Sequence, residues 1–489
     1  MAMELRFDKK KKIGLRDPKL FGQFIEHFHR CVYGGVYDPA SSFADEQGLR
    51  KDVIEALNRI GVPVIRWPGG CFVSGYHWQD GIGPKRIPCF DKAWKVEESN
   101  LFGTAEFLDF CRKIHAQPYI CCNAGTGTEE EMSDWVEYCN QTQGKWARLR
   151  REHGYEEPFH VKYWSIGNEN YFDGELGSRN PKEWARLVSR ASHMMKRADD
   201  RIELLAPCAN NLEWNLRLLA EAGHRLDWLS VHSYDDMLQQ VNEPSSYEQC
   251  ILWLDNVKER IEQAESAIHL MGYRNKIHIA IDEWNLRGWH HPNVDVPGAD
   301  YLTPRDKNDD NSTYTMADAV YTACYLNECF RHCNSVKMAN YAPTVNGRGL
   351  IYTHDDGIVL RPTYFVFDLY ANLLGDEILD SWFDQENRFA LSVNGKEQNV
   401  NWIDAVPTMQ NGRLRIALVN KHPEEACRVF FASSAGELEL FTLNGKSKDS
   451  YNDIDHPETV RVEREILKTK ASQKEIYLPP HSVTIVREL

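Results

Sequence analysis

The chain reads as an α/β protein: a (β/α)8 TIM barrel over 15–375, followed by an all-β sandwich over 376–489. Three observations predict this. Eight short β-prone runs alternate with stretches whose apolar residues recur every three or four positions. Two of those runs stop at a glutamate, at Glu169 and at Glu283, and the C-terminal strand ends of a barrel form its active face. After Gly375 the pattern changes to short alternating runs separated by Asn-Gly turns.

The eight runs lie near 21–28, 62–69, 118–125, 161–169, 203–208, 226–234, 276–284 and 335–345. Helical spacing is clear at 49–60 (Leu49, Val53, Ile54, Leu57), 104–115 (Phe107, Leu108, Cys111, Ile114), 182–197 (Trp184, Leu187, Val188, Met194) and 363–374 (Tyr364, Phe367, Tyr370). A doubly wound nucleotide-binding sheet is the alternative, but no G-x-G-x-x-G follows the first run. Beyond Gly375, alternation at 388–393, 414–419, 438–443 and 482–486 predicts the sandwich, and residues 1–14 are expected to add a strand to it. The polar stretch 287–312 is expected to be a long loop over the site.

A net charge of -15 argues against nucleic acid or an anionic membrane surface as partner. No segment has the roughly 20 apolar residues of a membrane span, and no apolar stretch follows Lys9–Lys12, so no secretory leader is expected. The 13 cysteines follow no framework spacing, which points to free thiols in a reducing cytoplasm. Without paired C-x-x-C motifs, a structural zinc site is not expected.

A carboxylate at the end of a buried strand is costly unless it is paired or used. Glycosidic bonds are cleaved by two carboxyl groups, one protonating the leaving oxygen and the other attacking the anomeric carbon or activating water. Glu169 follows Asn168, whose amide suits a sugar 2-hydroxyl, so Glu169 is read as general acid/base and Glu283 as nucleophile. Arg66, ending the second run, would keep Glu283 ionised. His232 and Tyr234 close the sixth run, with Tyr234 placed to fix the nucleophile.

The chain resembles glycoside hydrolase family 51, the α-L-arabinofuranosidases of the retaining clan A, along nearly its whole length. The resemblance rests on Phe24-Ile25-Glu26-His27, Val32-Tyr33-Gly34-Gly35-Val36-Tyr37 and Ile65-Arg66-Trp67-Pro68-Gly69-Gly70-Cys71-Phe72-Val73-Ser74-Gly75-Tyr76. It continues through Trp78-Gln79-Asp80-Gly81-Ile82-Gly83-Pro84, Gly167-Asn168-Glu169 and Asp282-Glu283-Trp284-Asn285. It implies a barrel with a β-sandwich, Glu169 as acid/base and Glu283 as nucleophile. It also implies that Glu26 binds a furanose hydroxyl, that Cys71 lies against the sugar ring and that Trp94 walls the subsite. Asn168 becomes the 2-hydroxyl ligand and Tyr234 the nucleophile's neighbour.

The implied enzyme releases terminal arabinofuranosyl units from arabinose-containing oligosaccharides, needs no metal or organic cofactor, and assembles as a hexamer in relatives. Two departures stand out. Where many relatives carry Ala-Gln after the eighth strand, this chain has Ala342-Pro343, so Asn340 or Asn346 is the expected substitute. Arg287 stands where an aromatic is common, with Trp289 as its expected replacement. Some relatives cleave β-xylosides or β-glucans, which is the nearest alternative specificity. Two remoter readings are a metal-dependent barrel hydrolase, using His27 and His29 as an H-x-H on one face of the first strand with His232 and Asp282, and a non-catalytic carbohydrate-binding protein.

Overall fold

The computed structural model describes residues 2–235, 246–286, 314–393, 395–469 and 471–489. Eight parallel strands close into a barrel: Gly22–Phe24, Val64–Trp67, Gln117–Cys122, Tyr163–Ile166, Glu203–Pro207, Trp228–Tyr234, His278–Asn285 and Val336–Tyr341. These are the eight runs read from the sequence, and the ring closes where Asn340 and Tyr341 pair with Gly22 and Gln23. Helices cover the outside and side chains fill the inside, so the strands are buried on both faces. Every residue of Tyr163–Ile166 is buried, for example. Val64, Tyr119, Tyr163, Leu205, Trp228, Ala280 and Met338, one from each of seven strands, form a separate apolar cluster within the barrel.

The helices follow from their caps and faces. Lys51–Ile60 buries Val53, Ala56, Leu57 and Ile60, and stops at Gly61, whose φ of 72° lies in the left-handed region that glycine adopts without steric cost. Pro181–Ala198 starts with Asn180 accepting from the Lys182 and Glu183 backbone N–H groups, while Glu183 reaches back to the Asn180 N–H.

The C-terminal strands form a continuous nine-stranded order: Arg461–Lys468, Glu437–Asn444, Val483–Glu488, Arg413–Asn420, Ile403–Gln410, Glu377–Phe383, Ala2–Leu15, Cys427–Ala432 and Gln473–Leu478. The N-terminal strand is the joint in this order. Its residues 5–15 run antiparallel to Glu377–Phe383, and its residues 2–4 run parallel to Cys427–Ala432. Lys9, Lys11 and Lys12 meet Glu488, Asp380 and Glu377. A short hairpin, Cys89–Asp91 with Val96–Glu98, was not apparent in the sequence; it lies in the connection after the second barrel strand. Its turn carries Trp94 toward the C-terminal strand ends.

Candidate active site

Asp282 and Glu283 are neighbours on the seventh strand, and regular alternation would send one of them outward. The register slips between Ala280 and Glu283 against the sixth strand, and between Ile281 and Trp284 against the eighth. This bulge turns both carboxylates inward. Arg66 meets both: its Nη1 donates to Glu283 Oε1 at 2.5 Å, and its Nε lies 3.6 Å from Asp282 Oδ2. Asp282 is fully buried and also accepts from Tyr119 Oη and Ser230 Oγ, each at 2.6 Å. Arg66 Nη2 donates to Asn168 Oδ1 at 2.9 Å. Because a guanidinium only donates, this contact fixes the amide with its Nδ2 free. That nitrogen is buried with no partner, which leaves a donor for a ligand.

The turn after the fourth strand uses left-handed conformations at Gly167 (φ 79°) and at Glu169 itself (φ 39°). For a glutamate this is unfavourable, and such residues cluster at functional sites. Glu169 Oε1 accepts from His232 Nδ1 at 2.8 Å, and Tyr171 Oη lies at 3.4 Å. His232 Nδ1 also lies 3.6 Å from Glu283 Oε2. Burial acts to lower the His232 pKa, but the charges of Glu283 and Glu169 outweigh it and push the imidazole up to about 9. Burial likewise acts to raise Glu169, and its bond to His232 outweighs that and holds the carboxyl below its ordinary value. The nearest ligand atoms of Glu169, His232 and Glu283 all lie within 4.8 Å of one another. Tyr234 Oη donates to Glu283 Oε2 at 2.8 Å, so both oxygens of Glu283 are held.

On the other side of the site, Glu26 Oε1 accepts from the Phe72 backbone N–H and from Trp94 Nε1, both at 3.0 Å. A Cβ at Gly69 or Gly70 would come within 2.6 Å of the Glu26 side chain, so the glycine pair makes room for it. Burial first, then the charge of Glu283, pushes Glu26 up to about 8. Cys71 follows the glycines. Its Sγ lies within 4.8 Å of carboxylate oxygens of both Glu169 and Glu175.

Family models for an "Alpha-L-arabinofuranosidase 1 domain" and an "Alpha-L-arabinofuranosidase C-terminal domain" match residues 56–250 and 282–482. A probable α-L-arabinofuranosidase C from Aspergillus clavatus is 31% identical over 98% of this chain and 95% of its own. The chain belongs to the α-L-arabinofuranosidases of glycoside hydrolase family 51. A Bacillus subtilis relative named intracellular exo-α-(1→5)-L-arabinofuranosidase 1 is 30% identical, covering 97% of this chain and 93% of its own. The structure of the thermostable family 51 α-L-arabinofuranosidase from Thermotoga petrophila superposes with a TM-score of 0.88 at 33% identity, covering 100% of both chains.

Within this family 51 chain, the expected site residues Glu26, Arg66, Cys71, Trp94, Asn168, Glu169, His232, Tyr234 and Glu283 lie around one cleft at the C-terminal strand ends. Trp289, Arg287 and the rest of the expected 287–312 loop lie outside the described residues. Of the two amides expected to replace the missing glutamine, Asn346 has both amide atoms engaged, its Nδ2 by Arg30 O, Gly34 O and Thr353 Oγ1 and its Oδ1 by the Thr353 N–H, while Asn340 Nδ2 donates to Gln23 O and its buried Oδ1 has no hydrogen-bond partner. The metal reading also loses its first ligand. Trp67 Nε1 donates to His27 Nε2 at 3.0 Å, so His27 Nδ1 carries the proton and donates to Glu98 at 3.1 Å. The first strand stops at Phe24, so the strand alternation that aligned His27 with His29 does not extend to them. Three functional groups were not singled out from the sequence: Tyr119, Tyr171 and Glu175. Glu175 is buried with both oxygens unpartnered.

Proposed function

We propose that the chain is a retaining, exo-acting α-L-arabinofuranosidase that releases non-reducing terminal α-L-arabinofuranosyl units from short arabinose-containing oligosaccharides. The observation that carries the mechanism is the separation of the two carboxylates. One oxygen of each lies within 4.8 Å of the other, which supports the roughly 5–5.5 Å carboxyl spacing of retaining enzymes over the roughly 6.5–9.5 Å of inverting ones. The substrate class is supported by the relatives above.

In the first step Glu283 attacks the anomeric carbon while Glu169 protonates the departing oxygen, giving a glycosyl ester and a free alcohol. In the second, Glu169 takes a proton from water, which attacks the ester and frees the sugar and the Glu283 carboxylate. The proton comes from His232, 2.8 Å from Glu169: burial acts to lower the imidazole's pKa, and the charge of Glu283 outweighs it. Attack consumes that charge, so His232 yields its proton to Glu169 as the leaving oxygen needs it. Arg66 and Tyr234 keep Glu283 ionised and aimed, Asn168 Nδ2 donates to the 2-hydroxyl, and Glu26, Cys71 and Trp94 bind the furanose.

The proposal extends to the setting. No disulfide joins the cysteines among the described residues and the Bacillus relative is named intracellular, which supports a cytoplasmic enzyme. No described helix is long and apolar enough to cross a membrane. A homo-oligomer, hexameric as in relatives, rests on the family resemblance alone. The division into a barrel at 15–375 and a sheet unit at 376–489 completed by residues 1–14 is supported by the strand orders. Turnover should need no cofactor.

The test is hydrolysis of aryl α-L-arabinofuranoside, β-D-xyloside and β-D-glucoside by wild type and Glu283→Ala, with and without chelator. The proposal expects arabinofuranoside turnover that survives chelation and is lost in the variant. A preference for xyloside or glucoside, still dependent on Glu283, would overturn the substrate and keep the mechanism. Activity abolished by chelation would overturn both.

A further inference from the structure

Glu175 has no part in the mechanism above, yet it is placed against it. It is 4% exposed, and neither carboxylate oxygen has a hydrogen-bond partner. Burial pushes its pKa up to about 7 against the pull of the Cys71 and Ser74 side chains beside it. A buried carboxyl group whose oxygens lack partners is unfavourable, which marks this position as one that can take a ligand. One carboxylate oxygen of Glu175, one of Glu169 and Cys71 Sγ lie within 4.8 Å of one another. We propose that Cys71, Glu169 and Glu175 form a binding site for a zinc-like, thiophilic divalent cation beside the catalytic carboxylates, and that its occupation shuts the enzyme off.

The donor set fits that chemistry. Zinc takes thiolate at about 2.3 Å and carboxylate at about 2.0–2.2 Å in tetrahedral sites, which puts donor atoms roughly 3.5 Å apart. Side-chain rotation about Glu175 and Glu169 can close the remaining distance, and water fills the fourth position. The thiol gives its proton to solvent on binding, and the three anionic donors then face one dication. Thiolate selects zinc or cadmium over magnesium and calcium, which prefer all-oxygen cages. His232, hydrogen-bonded to the Glu169 carboxylate at 2.8 Å, would orient that ligand. Because the three donors lie up to 4.8 Å apart and do not close a cage, binding is expected to be reversible and competitive with substrate. That binding stops turnover rests on Glu169 being the acid/base; the site itself does not.

The experiment titrates the intact enzyme with Zn2+, Mg2+ and Co2+, reading arabinofuranoside hydrolysis and, separately, the absorption of the cobalt adduct. Zinc is expected to inhibit competitively and be reversed by chelator, while magnesium does nothing. Cobalt should show a thiolate-to-metal charge-transfer band that vanishes in Cys71→Ala. Glu175→Gln should weaken zinc inhibition by at least about tenfold, the lower end of losses seen for outer-shell partners. Glu175→Asp, which keeps the charge and retracts it by one methylene, should fall between the two and guards against a folding defect. Cobalt binding with the thiolate band but without inhibition would support the site and count against Glu169 as acid/base. No thiolate band in the wild type, or unchanged zinc inhibition in Glu175→Gln and Cys71→Ala, would overturn the proposal.

Discussion

Asn168→Asp isolates one hydrogen bond of the site. Asn168 Oδ1 accepts from Arg66 Nη2 at 2.9 Å, and an aspartate keeps that acceptor in place. What changes is Nδ2, a buried nitrogen with no hydrogen-bond partner in the protein, which becomes an oxygen that cannot donate. If Nδ2 holds the sugar 2-hydroxyl and tightens as positive charge develops on the ring, its loss resembles removal of a transition-state donor. Such losses run to about 2.7–4 kcal/mol, or roughly 10²–10³ in kcat. The added charge beside Arg66 also disturbs Glu283, but that disturbance acts on any substrate. The assay is therefore a cycle: kcat/KM for wild type and variant on an aryl α-L-arabinofuranoside and on its 2-deoxy analogue. The full penalty is expected on the parent sugar and only the charge effect on the analogue. Equal losses on both substrates would refute the assignment of Asn168 to the 2-hydroxyl.

Further expectations concern the carboxylates and one remote ion pair. Glu169→Ala should slow arabinofuranosides with poor leaving groups far more than activated aryl glycosides, because the latter need little protonation; a leaving-group series with a uniform loss would remove Glu169 from the acid role. Glu26, raised by burial from 4.5 to about 8, costs stability progressively as pH climbs through that window, since the unfolded chain ionises first. Glu26→Gln should therefore raise the melting temperature more at pH 8 than at pH 5 while lowering activity, and an equal gain at both would show the carboxyl is not strained. His332 lies 3.0 Å from Glu265 and 3.2 Å from Glu328; against burial, which lowers it, these carboxylates raise its pKa from 6.5 to about 9. That stabilisation is complete below the unfolded value of 6.5 and lost as pH rises through about 9. Thermal melts should show His332→Gln destabilised at low pH and converging with wild type above pH 9, and a constant gap would contradict the pairing.

The barrel was legible because strands buried on both faces read as short continuous apolar runs, and Tyr163–Ile166 is such a run. The two glutamates were legible because they end such runs. The inward turn of Asp282 was not, since it depends on a bulge between Ala280 and Glu283 that strict alternation cannot represent. Nor was the hairpin at Cys89–Glu98: its strands are three residues long and its Phe90 is exposed, so no apolar run marks it. Glu175 sits six residues past Glu169 in an irregular turn, where periodicity carries no information. The pairing of His27 with His29 misled for the opposite reason, because alternation was extended beyond the point where the strand stops.

The central claim is double displacement at Glu283 with Glu169 as acid/base. The most direct measurement is the anomeric form of the first sugar released by wild type from an aryl α-L-arabinofuranoside, followed by proton NMR before mutarotation. The α-anomer appearing first is the predicted result. Initial release of the β-anomer would mean single displacement by water, and the close pair of carboxylates would need a different explanation.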